Sequence, residues 1–236
     1  MHGNGFPVIE GANVRSRRIG SITRSRSLSR GAATAAGTWT ESGWLWLHGL
    51  CFDSEVDIEN SGTPDERPGL RVRRRAEGDV EECVRVLAEV HRLDGYPVNW
   101  PDRPGAWLSH GPLLGSWVAE LEGRLVGHVT LSPGGEDDLA PMLWSERNGA
   151  PRDMTAVVGR LFVAPEARGR RIGALLIGRA VEEARRRGLR VVLDVVASRT
   201  AAAALYERLG WELMTVVEQQ WGRHRTVVIR CYAAPS

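Results

Sequence analysis

The stretch "RLFVAPEARGRRIG", residues 160–173, sets an apolar run and a proline ahead of two glycines, Gly169 and Gly173, and holds four arginines. Read outward, it is a strand over 157–163, a turn, and the start of a helix over 173–187 that stops at Gly188. The helix is amphipathic. Ile172, Leu175, Leu176, Ala180 and Ala184 form one stripe, and Glu182 with Arg186, like Glu183 with Arg187, fall at the i,i+4 spacing of helical ion pairs. At its start the first four backbone N–H groups have no intrahelical partner and add to the helix dipole, so an anion belongs there. Glycine at 169 and 173 lets a ligand approach the backbone, and Arg168, Arg170 and Arg171 add full charges, a combination suited to a diphosphate. Read in isolation, RGRRIG equally fits arginines that merely cover a loop.

The next segment decides between these readings. "VVLDVVASRTAAAALYERLGW", residues 191–211, gives a strand over 191–196 and a helix over 200–209 that carries Tyr206 one residue before Glu207. Together the two segments resemble the Gcn5-related N-acetyltransferases (GNAT). "LFVAPEARGRRIGALL" is similar to that family's coenzyme A motif, (Q/R)xxGx(G/A), and "VASRTAAAALYERLGW" to its second motif, commonly ending ALYExLGF. The resemblance spans about residues 70–232 and is most specific over 157–211. Two departures stand out: with Arg168 in the first motif position, Arg171 replaces the first motif glycine while Gly173 holds the second, and Arg199 stands where the second motif often has Asn.

The resemblance implies an α/β fold with a mixed, mostly antiparallel central sheet, helices on both faces, and a V-shaped splay between the fourth and fifth strands. It implies acetyl-coenzyme A as donor, a primary amine as acceptor, direct attack in a ternary complex, and no metal. The cofactor-binding set it implies is Leu161, Phe162 and Val163 for the pantetheine arm, Arg168, Gly169, Arg170, Arg171, Ile172, Gly173 and Ala174 for the phosphates, and Arg199 as a further cation for a phosphate. An alkyl ammonium has a pKa near 10 and an α-ammonium near 8, so a base must free the attacking amine. Asp194, which interrupts an apolar strand, is the first candidate, ahead of Glu120 and His128. Tyr206 is the candidate acid for the leaving thiolate. On the acceptor side, "VHRLDGYPVNWPDRPGAWL", residues 90–108, offers Tyr96, Trp100 and Trp107 as walls and Asp94 or Asp102 to hold a cation. A small-molecule amine leads; a protein N-terminus or lysine acceptor, or a non-catalytic acyl-coenzyme A-binding module, are the alternatives.

Composition fits one enzyme-sized domain plus an appendage within 236 residues, at 42% hydrophobic and 25% charged. All 31 cationic side chains are arginine, which removes a P-loop lysine, a Schiff-base lysine and an SxxK nucleophile. A net charge of +2 argues against nucleic acid as a general partner. No stretch reaches the roughly 20 apolar residues of a membrane helix. Cys51, Cys83 and Cys231 are too scattered for a disulfide framework or a CxxC metal site and fit a reducing cytoplasm. No HExxH, Cys/His cluster or GxSxG elbow occurs. A homodimer is left open.

The first 69 residues read differently from the rest. Arg15, Arg17, Arg18, Arg24, Arg26 and Arg30 fall among Ser, Gly and Ala, and Asp53, Glu55, Asp57, Glu59, Asp65 and Glu66 follow without a base among them. Residues 1–69 are expected to be a low-complexity, disordered extension, and neither a secretory leader nor part of the transferase domain at 70–236. From Leu70 the pattern predicts a strand, a helix opened by a capping box of Asp79 and Glu82 with Val80, Val84, Leu87 and Val90 or His91 on one face, and a short helical piece near Trp107. A hairpin "SWVAELEGRLVGHVTL" turning at Glu122, Gly123 and Arg124 follows, then a connection over 133–155 that is helical around "LAPMLWSER". Two last strands, near 212–220 and 226–232, complete the chain.

Overall fold

The computed structural model describes residues 17–18, 69–221 and 225–235. Seven strands and five helices follow from Leu70: β1 (Leu70–Arg74), α1 (Val80–Asp94), α2 (Pro104–Ser109), β2 (Gly115–Leu121), β3 (Arg124–Pro133), α3 (Leu139–Asn148), β4 (Thr155–Val163), α4 (Ile172–Arg186), β5 (Arg190–Val196), α5 (Thr200–Arg208), β6 (Glu212–Trp221) and β7 (Arg225–Ala233). They form one sheet in the order β6-β7-β5-β4-β3-β2-β1, antiparallel throughout except for β4 with β5. A two-residue strand, Arg17–Arg18, pairs antiparallel with β6 at its free edge. Apart from these two residues and Gly69, the expected disordered extension lies outside the described residues.

The expected elements form, and the details that differ have local causes. The β2–β3 hairpin closes with Leu121 opposite Arg124 and only Glu122 and Gly123 between them, at φ 52° and 76°. Two successive left-handed residues match the twist of the flanking strands, which is why a glycine stands at the second. The capping box does not form. Asp79 accepts from the Ala76 amide (2.6 Å) and from Arg73 (2.6 and 2.9 Å), while Glu82 turns to Arg85. Arg73 also binds Glu120 (2.5 Å), so two carboxylates share one guanidinium and Asp79 is drawn off α1. In α1 the buried row is Cys83, Val86, Leu87 and Val90, one position round from the row expected. In α4, Glu183 is buried rather than on the exposed face. Arg74, Arg186 and Arg187 surround it at 2.7–3.0 Å and hold its carboxyl below the usual range, Arg187 contributing most, while Glu182 pairs with Arg179 instead of Arg186.

Every residue of β3 from Leu125 to Leu131 is buried, a run without alternation that requires cover on both faces. One cover is α4: Gly127 faces Ile172 and Leu176 so closely that a Cβ there would lie 3.0 Å from Leu176 Cδ1 and 3.2 Å from the Phe162 carbonyl. On the other face His128 meets Arg75, whose guanidinium reaches the Leu108 carbonyl of α2. A second apolar cluster puts Leu139, Ala140 and Leu143 of α3 against Val192, Val217, Ile229 and Cys231, so the inserted helix covers the β5–β7 end.

Two irregularities in β4 shape everything near it. Against β3, Thr130 pairs with Gly159 and His128 with Phe162, so two β4 residues oppose one on β3 in a bulge with Arg160 at φ 48°. Against β5, pairing covers only Thr155–Val157 with Arg190–Val192. Beyond Val157 the two parallel strands diverge. The bulge is pinned by His128, which is fully buried: its Nδ1–H donates to the Arg160 carbonyl (3.0 Å), which fixes the tautomer, and its Nε2 lone pair faces Arg75 Nη1 (3.2 Å).

Two outcomes follow from this packing. Gly127→Val should cost about 1–3 kcal/mol, the usual penalty for overpacking a filled core; urea unfolding would show it, and an unchanged midpoint would mean that α4 is free to shift. Burial and the Arg75 charge push the His128 imidazole down to about 4. The unfolded chain therefore takes up a proton between about pH 6.5 and 4 that the native protein refuses, so stability is complete above pH 6.5 and falls with pH through that window, by up to about 3 kcal/mol. Measured at pH 7 and pH 4.5, the loss should shrink by most of that amount in His128→Gln; equal losses in the two proteins would assign the acid sensitivity to other groups.

Candidate functional site

The divergence of β4 and β5 opens a cleft of about 1630 Å³, larger than the 300–1,000 Å³ typical of a small-ligand pocket. From Val158 onward the edge of β4 facing β5 has no ladder partner, and Leu161, Phe162 and Val163 line the cleft there. Backbone groups on such an edge need partners. A ligand with amide groups along an extended arm can supply them.

At the far end of this edge lies the start of α4. Gly169 (φ 78°) turns the chain, and Arg171 occupies the N-cap position at φ 64°, a conformation that favours glycine. Helical bonding begins with the Leu175 amide donating to the Arg171 carbonyl (3.1 Å), so the amides of Ile172, Gly173 and Ala174, which line the cleft, have no intrahelical partner. Arg171, Gly173 and Ala174 line it; Arg170 is exposed and does not. A Cβ on Gly173 would come within 3.1 Å of Leu205 Cδ2, so the glycine keeps α4 and α5 close. Arg168 lines the cleft, but its guanidinium is paired with Asp94 at the end of α1. Arg199, expected as a phosphate ligand, donates to the carbonyls of Asp94 and Gly95 (2.7 Å to the latter), so it caps the C-terminus of α1.

The cleft lining also contains ionisable groups with shifted protonation. Tyr206 on α5 is only 6% exposed, with its ring 5.5 Å from Trp211 and 5.8 Å from Tyr232, and it lines the cleft. Burial first, then Tyr96 and Asp194, raise its phenol above the ordinary value. Asp194 shares a face of β5 with Val192 and Val196. It reaches solvent through the cleft, yet protein surrounds it, and desolvation, with Asp138 adding to it, raises its carboxyl. Tyr96 and Trp107 line the same region, and burial pushes the Tyr96 phenol up to about 12.

Several expected residues lie elsewhere. Trp100 is 39% exposed and outside the cleft lining, because its ring packs 5.0 Å from His91, whose Nδ1–H is held by the Pro97 carbonyl (2.9 Å). Glu120 sits at the β1–β2 edge, bound to Arg73. Both nitrogens of His128 are engaged, and it is not part of the cleft lining. Asp94 lines the cleft but is committed to Arg168, and Asp102 is outside the lining. The sequence reading missed Arg160, which projects into the cleft with its guanidinium 5.3 Å from the Trp107 ring. Nothing in local periodicity signals a bulge at that position.

Among the described residues no helix is long and apolar enough to cross a membrane, and no group of three or more His, Cys, Asp or Glu side chains is placed to hold a metal ion.

Comparison with known proteins agrees with this geometry. The chain is 30% identical over 152 residues to an uncharacterised N-acetyltransferase of Methanocaldococcus jannaschii, covering 62% of each protein. It is 29% identical over 197 residues to a mycothiol acetyltransferase of Geodermatophilus obscurus, covering 77% of this chain and 63% of that protein. It thus spans just under two thirds of the length of these relatives. A Salmonella typhimurium protein described as an acetyltransferase, solved with its cofactor acetyl-CoA, shares the fold at a TM-score of 0.50 and 19% identity, over 71% of this chain and 95% of that one. Residues 83–211 match the model of the acetyltransferase (GNAT) family, more than half of the chain, and the protein belongs to that family.

Proposed function

We propose that the protein is an acetyl-coenzyme A-dependent N-acetyltransferase that acetylates the primary amine of a small molecule by direct attack in a ternary complex, in the cytoplasm. The observation that carries this reading is the unpaired edge of β4 in a cleft that the start of α4, Tyr206 and Asp194 also line. The acetyl-CoA of the Salmonella typhimurium structure supports the choice of donor, and the relative named mycothiol acetyltransferase favours a small-molecule acceptor over a protein.

The residues fit the donor part by part. The amides of Ile172, Gly173 and Ala174, with Arg171 beside them, suit a diphosphate, since a helix start combines free N–H donors with positive potential. Leu161, Phe162 and Val163 offer backbone partners to the pantetheine arm. When bound, the donor supplies an activated acetyl thioester. A backbone N–H of the β4 edge stabilises the negative charge that grows on its carbonyl oxygen, a contribution of about 3 kcal/mol for one preorganised donor.

Asp194 accepts the proton of the attacking ammonium, directly or through water. Its raised carboxyl makes it a stronger base than an ordinary aspartate. Tyr206 donates to the leaving thiolate, and its raised phenol stays protonated until the sulfur, whose own thiol ionises near 8.5, takes the proton. Arg168 and Arg199 hold the end of α1 over the cleft and so position the Tyr96 loop.

Tyr206→Phe is expected to lower kcat by roughly 10²-fold or more, in the range of general acid catalysis, with coenzyme A affinity within about twofold of the parent. Thiol release and calorimetry report the two quantities; full activity would reduce Tyr206 to a packing residue. Gly173→Leu should instead weaken coenzyme A binding roughly tenfold by forcing Leu205 aside. Retained affinity would move the diphosphate away from α4.

A further inference from the structure

We infer that Arg160 is the anion-recognising residue of the acceptor site, and that the amine acetylated here carries a carboxylate, as an amino acid does. The inference rests on the transferase reading for the identity of the two ends of the cleft.

Position comes first. The slot residues Leu161, Phe162 and Val163 separate Arg160 from the phosphate-binding turn at 168–173, and three strand residues span roughly 10 Å. Arg160 therefore stands at the end opposite the diphosphate seat. The donor's phosphates have Arg171 and the α4 amides and need nothing from it.

The charges around the cleft point the same way. Its lining contains two carboxylates, Asp94 and Asp194, against five arginines, Arg160, Arg168, Arg171, Arg199 and Arg208. Asp94 is committed to Arg168, and Arg199 is committed to the carbonyls of α1. Arg160 stacks on Trp107 and donates to the His110 carbonyl at 3.3 Å, but among the described residues no carboxylate pairs with it. A guanidinium has five N–H donors in a planar fork and stays charged in proteins. Half-buried and without a counter-ion, it has spare donors and an unmatched charge, and a carboxylate fits both in a bidentate pair.

Backbone and spacing complete the case. Arg160 holds φ 48° while the adjacent residue is Gly159, so the left-handed position of the bulge is filled by a long cation although a glycine is one step away. A residue held in an unfavoured conformation at a ligand cleft invites a functional reading. The ring of Trp107 fixes the guanidinium in place. Tyr96, Trp107, Arg160 and Asp194 all line the same cleft. A zwitterion with its ammonium at Asp194 and its carboxylate at Arg160 would lie across Tyr96, with Trp107 as an apolar wall.

The test uses the full chain saturated with coenzyme A, titrated by calorimetry with amino acids, their carboxamides and aminoalkylphosphonates. In the parent, acids should bind at least tenfold more tightly than their amides, the usual effect of losing a charged hydrogen-bond pair. In Arg160→Gln that ratio should collapse to within about twofold, and Arg160→Lys should keep part of it. Acids and amides that bind alike in the parent, no binding by any acid, or a preference for phosphonates would each overturn the inference, and none depends on a variant folding. Thiol release is scored separately. Acid-selective binding without release from acetyl-coenzyme A would sink the transferase reading alone, whereas release with amides as fast as with acids would sink this inference alone.

Discussion

A buried imidazole locked between a carbonyl and a guanidinium holds the cleft in shape. His128 cannot accept a proton on Nδ1, because that nitrogen donates to the Arg160 carbonyl, and its Nε2 faces Arg75. The bond ties β3 to β4 at the point where two β4 residues oppose one. One inserted residue reverses the alternation of side chains beyond it and bends the strand. β4 pairs with β3 on both sides of the bulge, yet it leaves β5 after Val157. The unpaired edge, the cleft and the placement of Arg160 all derive from that mismatch.

Five arginines line the cleft and, Arg208 apart, they divide into two groups. Arg168 and Arg199 are spent on the end of α1, through Asp94 and the carbonyls of Asp94 and Gly95. The Arg168–Asp94 pair is largely exposed and adds at most about 1 kcal/mol to stability. Its effect is to locate the segment that carries Tyr96. Arg171 and Arg160 remain at opposite ends of the slot, each in a left-handed conformation. Asp194 is left as the carboxylate of the lining without an arginine partner.

Arg171 also shows how a motif can lose a glycine and keep its geometry. The turn before α4 needs a left-handed residue, which costs a non-glycine residue about 1–2 kcal/mol. The arginine adopts it nevertheless and places a full charge beside the free amides of the helix start. Binding through backbone N–H groups depends on the path of the chain, so a side chain at the cap leaves the donors in place.

Sequence alone determined the order and type of the elements, because hydrophobic period, glycine stops and turn residues act within a dozen positions: the α4 stripe, the Glu122–Gly123 hairpin and the inserted α3 helix were all legible. The two family motifs also pointed to the α4 turn and to Tyr206, both of which line the cleft. Trp100 and the capping of α1 differ from the reading, and Arg199 and Glu120 take partners from segments that local pattern does not identify, as Arg199 does from Gly95, 104 residues away. The bulge at Arg160 belongs to the same class, since it is set by a hydrogen bond from His128, 32 residues earlier, and by which strand β4 abandons. Register between distant strands is a competition among whole-sheet pairings, and only the folded sheet decided it.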